Sequence, residues 1–213
     1  SGKAYTATGT ALTLSAATAS TDTMYCVFLG RALQTVTPAT NSITNAMITD
    51  STITSAKLTG VTQGITMADQ WRLTTAFTGD AEPISSNLER NDTQFSYIGR
   101  GMSESSGVFT FPSTGIYLIR FYHMYQFKDG NAQSRDAKIM HTTNNSSYSA
   151  VARCNFSGVA SYNVSSTDFY FDITDTSTHK CKFELTSIGG SAAVVGDTNE
   201  TWTNMTFIRL GDT

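Results

Sequence analysis

The sequence is poor in charge, in helix formers and in the side-chain groupings that mark chemistry. Asp, Glu, Lys and Arg make up 15% of its 213 residues and leave a formal charge of -3. With a pI near 5.5 there is no basic footprint, so nucleic acid is not expected as a partner. Glu, Lys and Leu are sparse while Ser and Thr are in excess, a balance that disfavours helix and suits pleated, half-exposed surfaces. No apolar run approaches the roughly 20 residues that cross a bilayer as a helix. No secretory signal precedes Ser1, and the abrupt start reads as that of an excised fragment.

Three cysteines, Cys26, Cys154 and Cys181, are too few for a disulfide framework, and none lies in a CxxC pair. A Cys154–Cys181 bond would require adjacent strands; we read them as buried free thiols, which suits assembly in a reducing cytosol. No nucleophile elbow, HExxH pair, P-loop or dinucleotide fingerprint occurs, and Gly99-Arg100-Gly101 lacks the third glycine of a phosphate loop. His123, His141 and His179 are scattered, and His123, inside Phe121-Tyr122-His123-Met124-Tyr125, reads as a hydrogen-bonded packing residue. The chain is not expected to be an enzyme.

What the chain does have is alternation. Phe109 and Phe111 alternate with short polar residues, and Pro112-Ser113-Thr114-Gly115 turns the run. Beyond the turn, Tyr117, Ile119 and Phe121 keep one parity while Ile116 and Leu118 occupy the other. A strand apolar on both faces needs cover on both, from a second sheet or from a neighbouring subunit.

In chain order, residues 1–38 predict a small β module, the C-terminal part of a larger one, with strands on either side of Gly9, at 24–29 and at 33–37. Residues 39–67 hold a repeat, in which 41–50 aligns with 51–60 and Ile43, Ala46, Ile48, Ile53, Ala56 and Leu58 recur in register. So thin an apolar stripe cannot bury itself; copies wound around an axis can. A polar linker is the alternative, and the kept register favours the wound neck. Residues 68–213 predict a head that opens with a strand at 68–77. A long loop covers 79–93, and strands follow near 95–98, 107–111, 116–127, 137–142, 148–156, 168–173, 180–188 and 203–210. Short, regularly spaced strands parted by turns such as Asp129-Gly130 mean an all-β antiparallel sandwich or jelly roll.

Gly107, Phe109, Gly115 and Tyr117, with Ile119 where an aromatic is usual, resemble the signature of the complement component 1q globular head. That family is related to the tumour necrosis factor jelly roll. The closing run at 203–212 and the opening run at 71–77 are similar to the same fold, so the resemblance covers roughly residues 68–213. Residues 1–60 resemble fibre proteins of bacterial viruses, marine ones in particular. The resemblance rests on Gly-Thr-Ala-Leu-Thr-Leu, on Met-Tyr-Cys-Val-Phe-Leu-Gly-Arg-Ala-Leu-Gln-Thr-Val-Thr-Pro, and on the Ser-Ile-Thr-x-Ala neck. Both families assemble as trimers, and a homotrimer is what the resemblance implies here.

It further implies that the head's termini lie beside the neck and its binding loops at the far apex. Those loops are 128–135, with Lys128, Asp129, Asn131 and Arg135, and 196–202, with Asp197, Asn199 and Trp202. Polar groups beside Phe127 and Trp202 suit sugars or polar cell-surface ligands. The globular-head family can hold calcium near the apex; Asp168, Asp172 and Asp175 read instead as solvated carboxylates, and no cofactor or metal is expected. Seven Asn-x-Ser/Thr triplets, at Asn91, Asn144, Asn145, Asn155, Asn163, Asn199 and Asn204, read as chance in so Asn-, Ser- and Thr-rich a chain.

The function expected from these observations is that of a trimeric viral fibre fragment. Its head binds a host-surface glycan or protein, and its missing N-terminal part meets other tail proteins. The virion would assemble in the bacterial cytoplasm, and no membrane insertion is expected. The alternative is a structural decoration or tail-assembly protein with the head as trimerisation cap. A secreted eukaryotic globular-head protein is disfavoured, because no collagen-like repeat is present.

Overall fold

The computed structural model describes residues 5–23, 25, 38–50, 52–53, 57–59, 64–127, 133–158, 161–188 and 192–213. The chain divides into two compact units, Ser1–Thr54 and Ser55–Thr213. In the first, β1 (Tyr5–Thr8) and β2 (Ala11–Leu14) form an antiparallel hairpin about Gly9-Thr10, with Tyr5 opposite Leu14. The strands expected at 24–29 and 33–37 lie, Tyr25 apart, outside the described residues. Within the first repeat the chain makes a 3-10 turn at Asn45–Met47. Ile43, Met47, Ile48 and Ile53 all stand exposed.

The second unit is all β among its described residues, apart from turns. Its strands are β3 (Met67–Leu73), β4 (Phe77–Thr78), β5 (Leu88–Arg90), β6 (Tyr97–Ile98), β7 (Ser103–Ser105) and β8 (Val108–Thr110). There follow β9 (Gly115–Phe127), β10 (Gln133–Thr142), β11 (Ser149–Gly158) and β12 (Tyr162–Ile173). The unit closes with β13 (Lys180–Thr186), β14 (Ala192–Val194) and β15 (Asn204–Gly211).

They make two antiparallel sheets. The larger runs β4-β14-β9-β15-β3-β5, with β12 along the other edge of β9 and β6 beside β3; the smaller runs β11-β10-β13-β8-β7. The closing strand β15 lies between β9 and the opening strand β3. Strands adjacent in space but remote in sequence, divided between two facing sheets, define a jelly roll. The expected all-β antiparallel jelly-roll architecture is what the chain adopts.

The core lies between the sheets. Tyr117, Ile119, Phe121 and Tyr125 of β9 point inward with Phe207 of β15 and meet Phe109, Phe183 and Ile139 from the smaller sheet. Phe109 contacts Trp71, Phe183 and Phe207 at ring-centroid distances of 5.6, 5.5 and 5.1 Å, and Phe121 contacts Phe183 at 5.0 Å. Two glycines of the central motif have a physical reason. Gly107 and Gly115 hold φ of +82° and +136°, and a Cβ at either would run into backbone oxygen, of Ile84 and Gly211 respectively.

One buried charge fixes the edge of the large sheet. The Asp69 carboxylate is wholly buried and accepts hydrogen bonds from Met102 N (2.7 Å), Trp71 Nε1 (3.1 Å) and Arg90 Nε (3.1 Å). The Arg90 guanidinium lies 4.9 Å from the Trp71 and Tyr97 ring centroids and donates to the Met102 carbonyl. This cluster pins the excursion through 97–102 onto β3 and β5.

Two expectations change. Residues 79–93 are not one loop: they include β5 and an antiparallel bridge from Ala81 to Leu185. His123 packs between Phe121 and Tyr125 at 5.2 and 5.1 Å, but among the described residues neither ring nitrogen has a hydrogen-bond partner. The thiols of Cys154 and Cys181 are free, as expected, with Cys181 buried and Cys154 partly so, while Cys26 lies outside the described residues. They pair with β10 from opposite sides, Cys154 across from Ala137 and Cys181 across from His141. Two strand spacings, about 10 Å, separate them before the axial offset is counted, which is beyond disulfide reach.

Candidate functional site

The outer face of the large sheet concentrates what the core leaves unpartnered. On β9 the inward parity is buried, while Ile116, Leu118, Arg120, Tyr122, Met124 and Gln126 point the other way and keep solvent contact. The adjoining strand β12 inverts the usual pattern: at 162–166 the apolar Tyr162 and Val164 face out, and the small polar Asn163 and Ser165 face in. Further along the same outward row, Tyr170 is 65% exposed. Ile116, exposed on β9, is the register partner of Asp172 on β12 and of Gly211 on β15.

Two hollows indent this face. The larger, about 490 Å3, crosses β3, β15 and β9 and is lined by Gln70, Leu118, Arg120, Tyr122, Thr206 and Ile208, with Thr201 and Asn204 at one end. The smaller, about 320 Å3, is lined by Tyr122, Met124, Val164, Glu200, Thr201 and Trp202. Arg120, at the wall of the larger hollow, is held in an ion pair. Arg120 Nε and Nη2 donate to Asp168 Oδ1 and Oδ2, each at 2.8 Å. That hydrogen bonding holds the Asp168 carboxyl below its ordinary value and raises the Arg120 guanidinium.

The residues expected to bind fall out unevenly. Lys128, Asp129 and Asn131 lie outside the described residues. Arg135, expected in their loop, instead lies in β10 with its side chain fully buried, its guanidinium 4.9 Å from the Phe127 ring centroid and Nη1 donating to Ser187 O. An apolar environment for the stem and a π face for the cation explain why this charge turns inward. Asp197 Oδ1 accepts from Asn199 N (2.6 Å) and Glu200 N (3.1 Å), so its carboxylate shapes its own turn. Asn199 is exposed, and Trp202 is half-buried with its ring 6.3 Å from that of Tyr162. Since Tyr162 pairs with Gln126, the 196–202 turn and the C-terminal end of β9 lie at one end of the sheet.

Of the carboxylates weighed for calcium, Asp168 is engaged by Arg120 and Asp175 by Ser177 N and Oγ (2.8 and 2.6 Å). Among the described residues no group of three or more His, Cys, Asp or Glu side chains converges as metal ligands. Sequence reasoning missed Tyr122, Met124, Val164 and Ile208, and it placed Glu200 within the 196–202 loop without singling it out. Off-parity apolar residues after Ile116 and Leu118 were the available signal on β9.

No family model matches the sequence, and no curated protein matches it either. Solved structures do. Crystal structures of murine APRIL at pH 8.5 and pH 5.0 match over 68% of this chain and 98% of theirs, at 14% identity, with TM-scores of 0.50 and 0.51. The structure of Eiger TNF from S. frugiperda matches over 68% of this chain and 93% of its own at 11% identity, with a TM-score of 0.49. At such identities the likeness is one of fold. The head has the jelly-roll architecture shared by tumour necrosis factor ligands and complement component 1q heads.

Proposed function

We propose that this chain is part of a homotrimeric, non-enzymatic fibre of a bacterial virus. Its jelly-roll head self-associates through the outer face of the large sheet and attaches to a host-surface glycan or outer-membrane component. The observation that carries the reading is the set of large apolar side chains left exposed on the outer row of β12, Tyr170, Val164 and Tyr162 at 65%, 49% and 49% exposure, parted by Ser166 and Asp168. Several large apolar side chains exposed on one face of a sheet mark an interaction face. Ile43, Ile48 and Ile53, exposed in the repeat, ask for the same cover. The viral assignment is supported by the resemblance of residues 1–60 to phage fibre proteins.

Attachment would then be multivalent, each weak contact adding to avidity through effective concentration. A structural cap is the second reading. It is favoured by Asp197 turning onto its own backbone and by Arg135 being buried, which remove two polar groups from the expected binding end. Competition separates the two. Purified chain added in excess should block adsorption of the parent virus to its host if the head attaches, and should leave adsorption untouched if it only caps.

A further inference from the structure

The strand β12 has an anchored half and an unanchored one. Over 168–173 its inward row is Phe169, Phe171 and Ile173, all packed on the core, with Phe171 against Phe111 at 5.7 Å. Over 162–167 the inward row is Asn163, Ser165 and Thr167, which put no apolar side chain into the core. Among the described residues no strand pairs with the other edge of β12, so the ladder to β9 carries this half. Its further ties are few: Phe127 N to Ser161 O and Gln126 Nε2 to the Tyr162 hydroxyl at its start, and a contact of Ser165 Oγ with Cys154 Sγ.

His123 lies beneath this half. It is the register partner of Ser165 and is wholly buried between Phe121 and Tyr125. Neither ring nitrogen has a hydrogen-bond partner among the described residues, and Asn163 Nδ2 has none either. The titratable and charged side chains turned inward at this end are Tyr125 on β9, Arg135 on β10, Cys154 on β11 and Cys181 on β13. None is a carboxylate. Asp136 and Asp168 are engaged by Asn155 and Arg120, Asp80 by Ile188 N and the buried Asp69 by Arg90. His141 and Arg209 lie towards the other end, beside Phe171 and across from Tyr117.

We propose that His123 is an acid-sensitive latch for this half-strand: when the imidazole takes up a proton, residues 162–167 detach from β9 and admit water to it, while 169–173 stay in the sheet. An imidazolium buried with no counter-charge must be solvated. Solvating it by unpacking Phe121 and Tyr125 would expose large apolar rings, whereas lifting Asn163, Ser165 and Thr167 exposes little apolar surface. The ring's depressed pKa, lowered to about 4 by burial alone, has the same direction. The closed form is fully favoured above the ordinary value of 6.5 and loses ground as pH falls from there towards 4. The latch works on the core side of β9 and β12, so it is independent of the self-association and attachment proposed above.

The test is hydrogen exchange on the full chain, in the association state it adopts, at pH 7 and pH 4, with rates corrected for the intrinsic pH dependence. Protection at 162–167 should fall about a hundredfold between the two, and protection at 169–173 by less than about threefold. His123→Phe should abolish the difference. Asn163→Leu, which keeps His123 and gives the half-strand an apolar anchor, should raise protection at 162–167 about tenfold at both pH values. An equal fall in both halves, a fall that persists in His123→Phe (as dissociation of the chains alone would give), or no gain in Asn163→Leu would overturn the proposal.

Discussion

Arg120 and Asp168 are register partners across β9 and β12, and they close a two-pronged ion pair on the outer face of the large sheet, between the apolar side chains of Leu118 and Tyr170 on one side and Met124 and Val164 on the other. On a lone chain such a pair is solvent-screened and adds about 0–1 kcal/mol. Covered by a second copy, the same pair is desolvated, and removing one partner then costs about 3–5 kcal/mol. Asp168→Asn should therefore leave the melting temperature within a few degrees yet weaken self-association more than about a hundredfold in sedimentation velocity. Association equal to that of the unmodified chain would mean that this face stays open.

His123 makes stability depend on pH. Burial without a hydrogen-bond partner lowers its pKa to about 4. A folded-state pKa below the unfolded value means that the neutral imidazole is the stable buried form. Its contribution is complete above the unfolded pKa, about 6.5, and is lost as pH falls from there towards 4. The full loss is on the order of 3 kcal/mol. His123→Phe, which keeps an aromatic between Phe121 and Tyr125, should flatten the melting curve's dependence on pH over that window. An equal slope in both proteins would contradict this.

Asp69 is the second sensitive position. Asp69→Ala removes the acceptor for Met102 N, Trp71 Nε1 and Arg90 Nε at once and leaves a guanidinium between two rings without its counter-charge. A loss of about 3–5 kcal/mol is expected in denaturant melts. Hydrogen exchange should show protection falling first at residues 97–102, and uniform loss across the head would argue against a local clamp.

Much of the fold was legible because β9 is long enough to show both of its parities. Tyr117, Ile119 and Phe121 declared the core side, and Ile116 and Leu118 declared that the other side also needs cover. The short strands were not legible. Leu88–Arg90, Ser103–Ser105 and Ala192–Val194 carry too few residues to alternate, and they become strands only through pairing with β3, β8 and β9. The first half of β12 was missed for a different reason. Asn163 and Ser165 face inward where apolar residues were sought, so the run read as polar until Asp168.

The binding end was the least legible. Arg135 follows Asp129, Gly130 and Asn131 and read as part of their turn, yet tertiary contact with Phe127 draws it into a strand interior. Trp202 was recognisable as an aromatic in a turn. Its neighbours Tyr122, Met124 and Val164 come from strands remote in sequence, and only the β9–β12 register brings them together.

Light scattering on the full chain after size exclusion, at micromolar concentration and neutral pH, measures the central claim directly. A molecular mass three times the 23.0 kDa of one chain is the predicted result. A homogeneous species of 23.0 kDa, with Tyr170 and Val164 facing water, would contradict it.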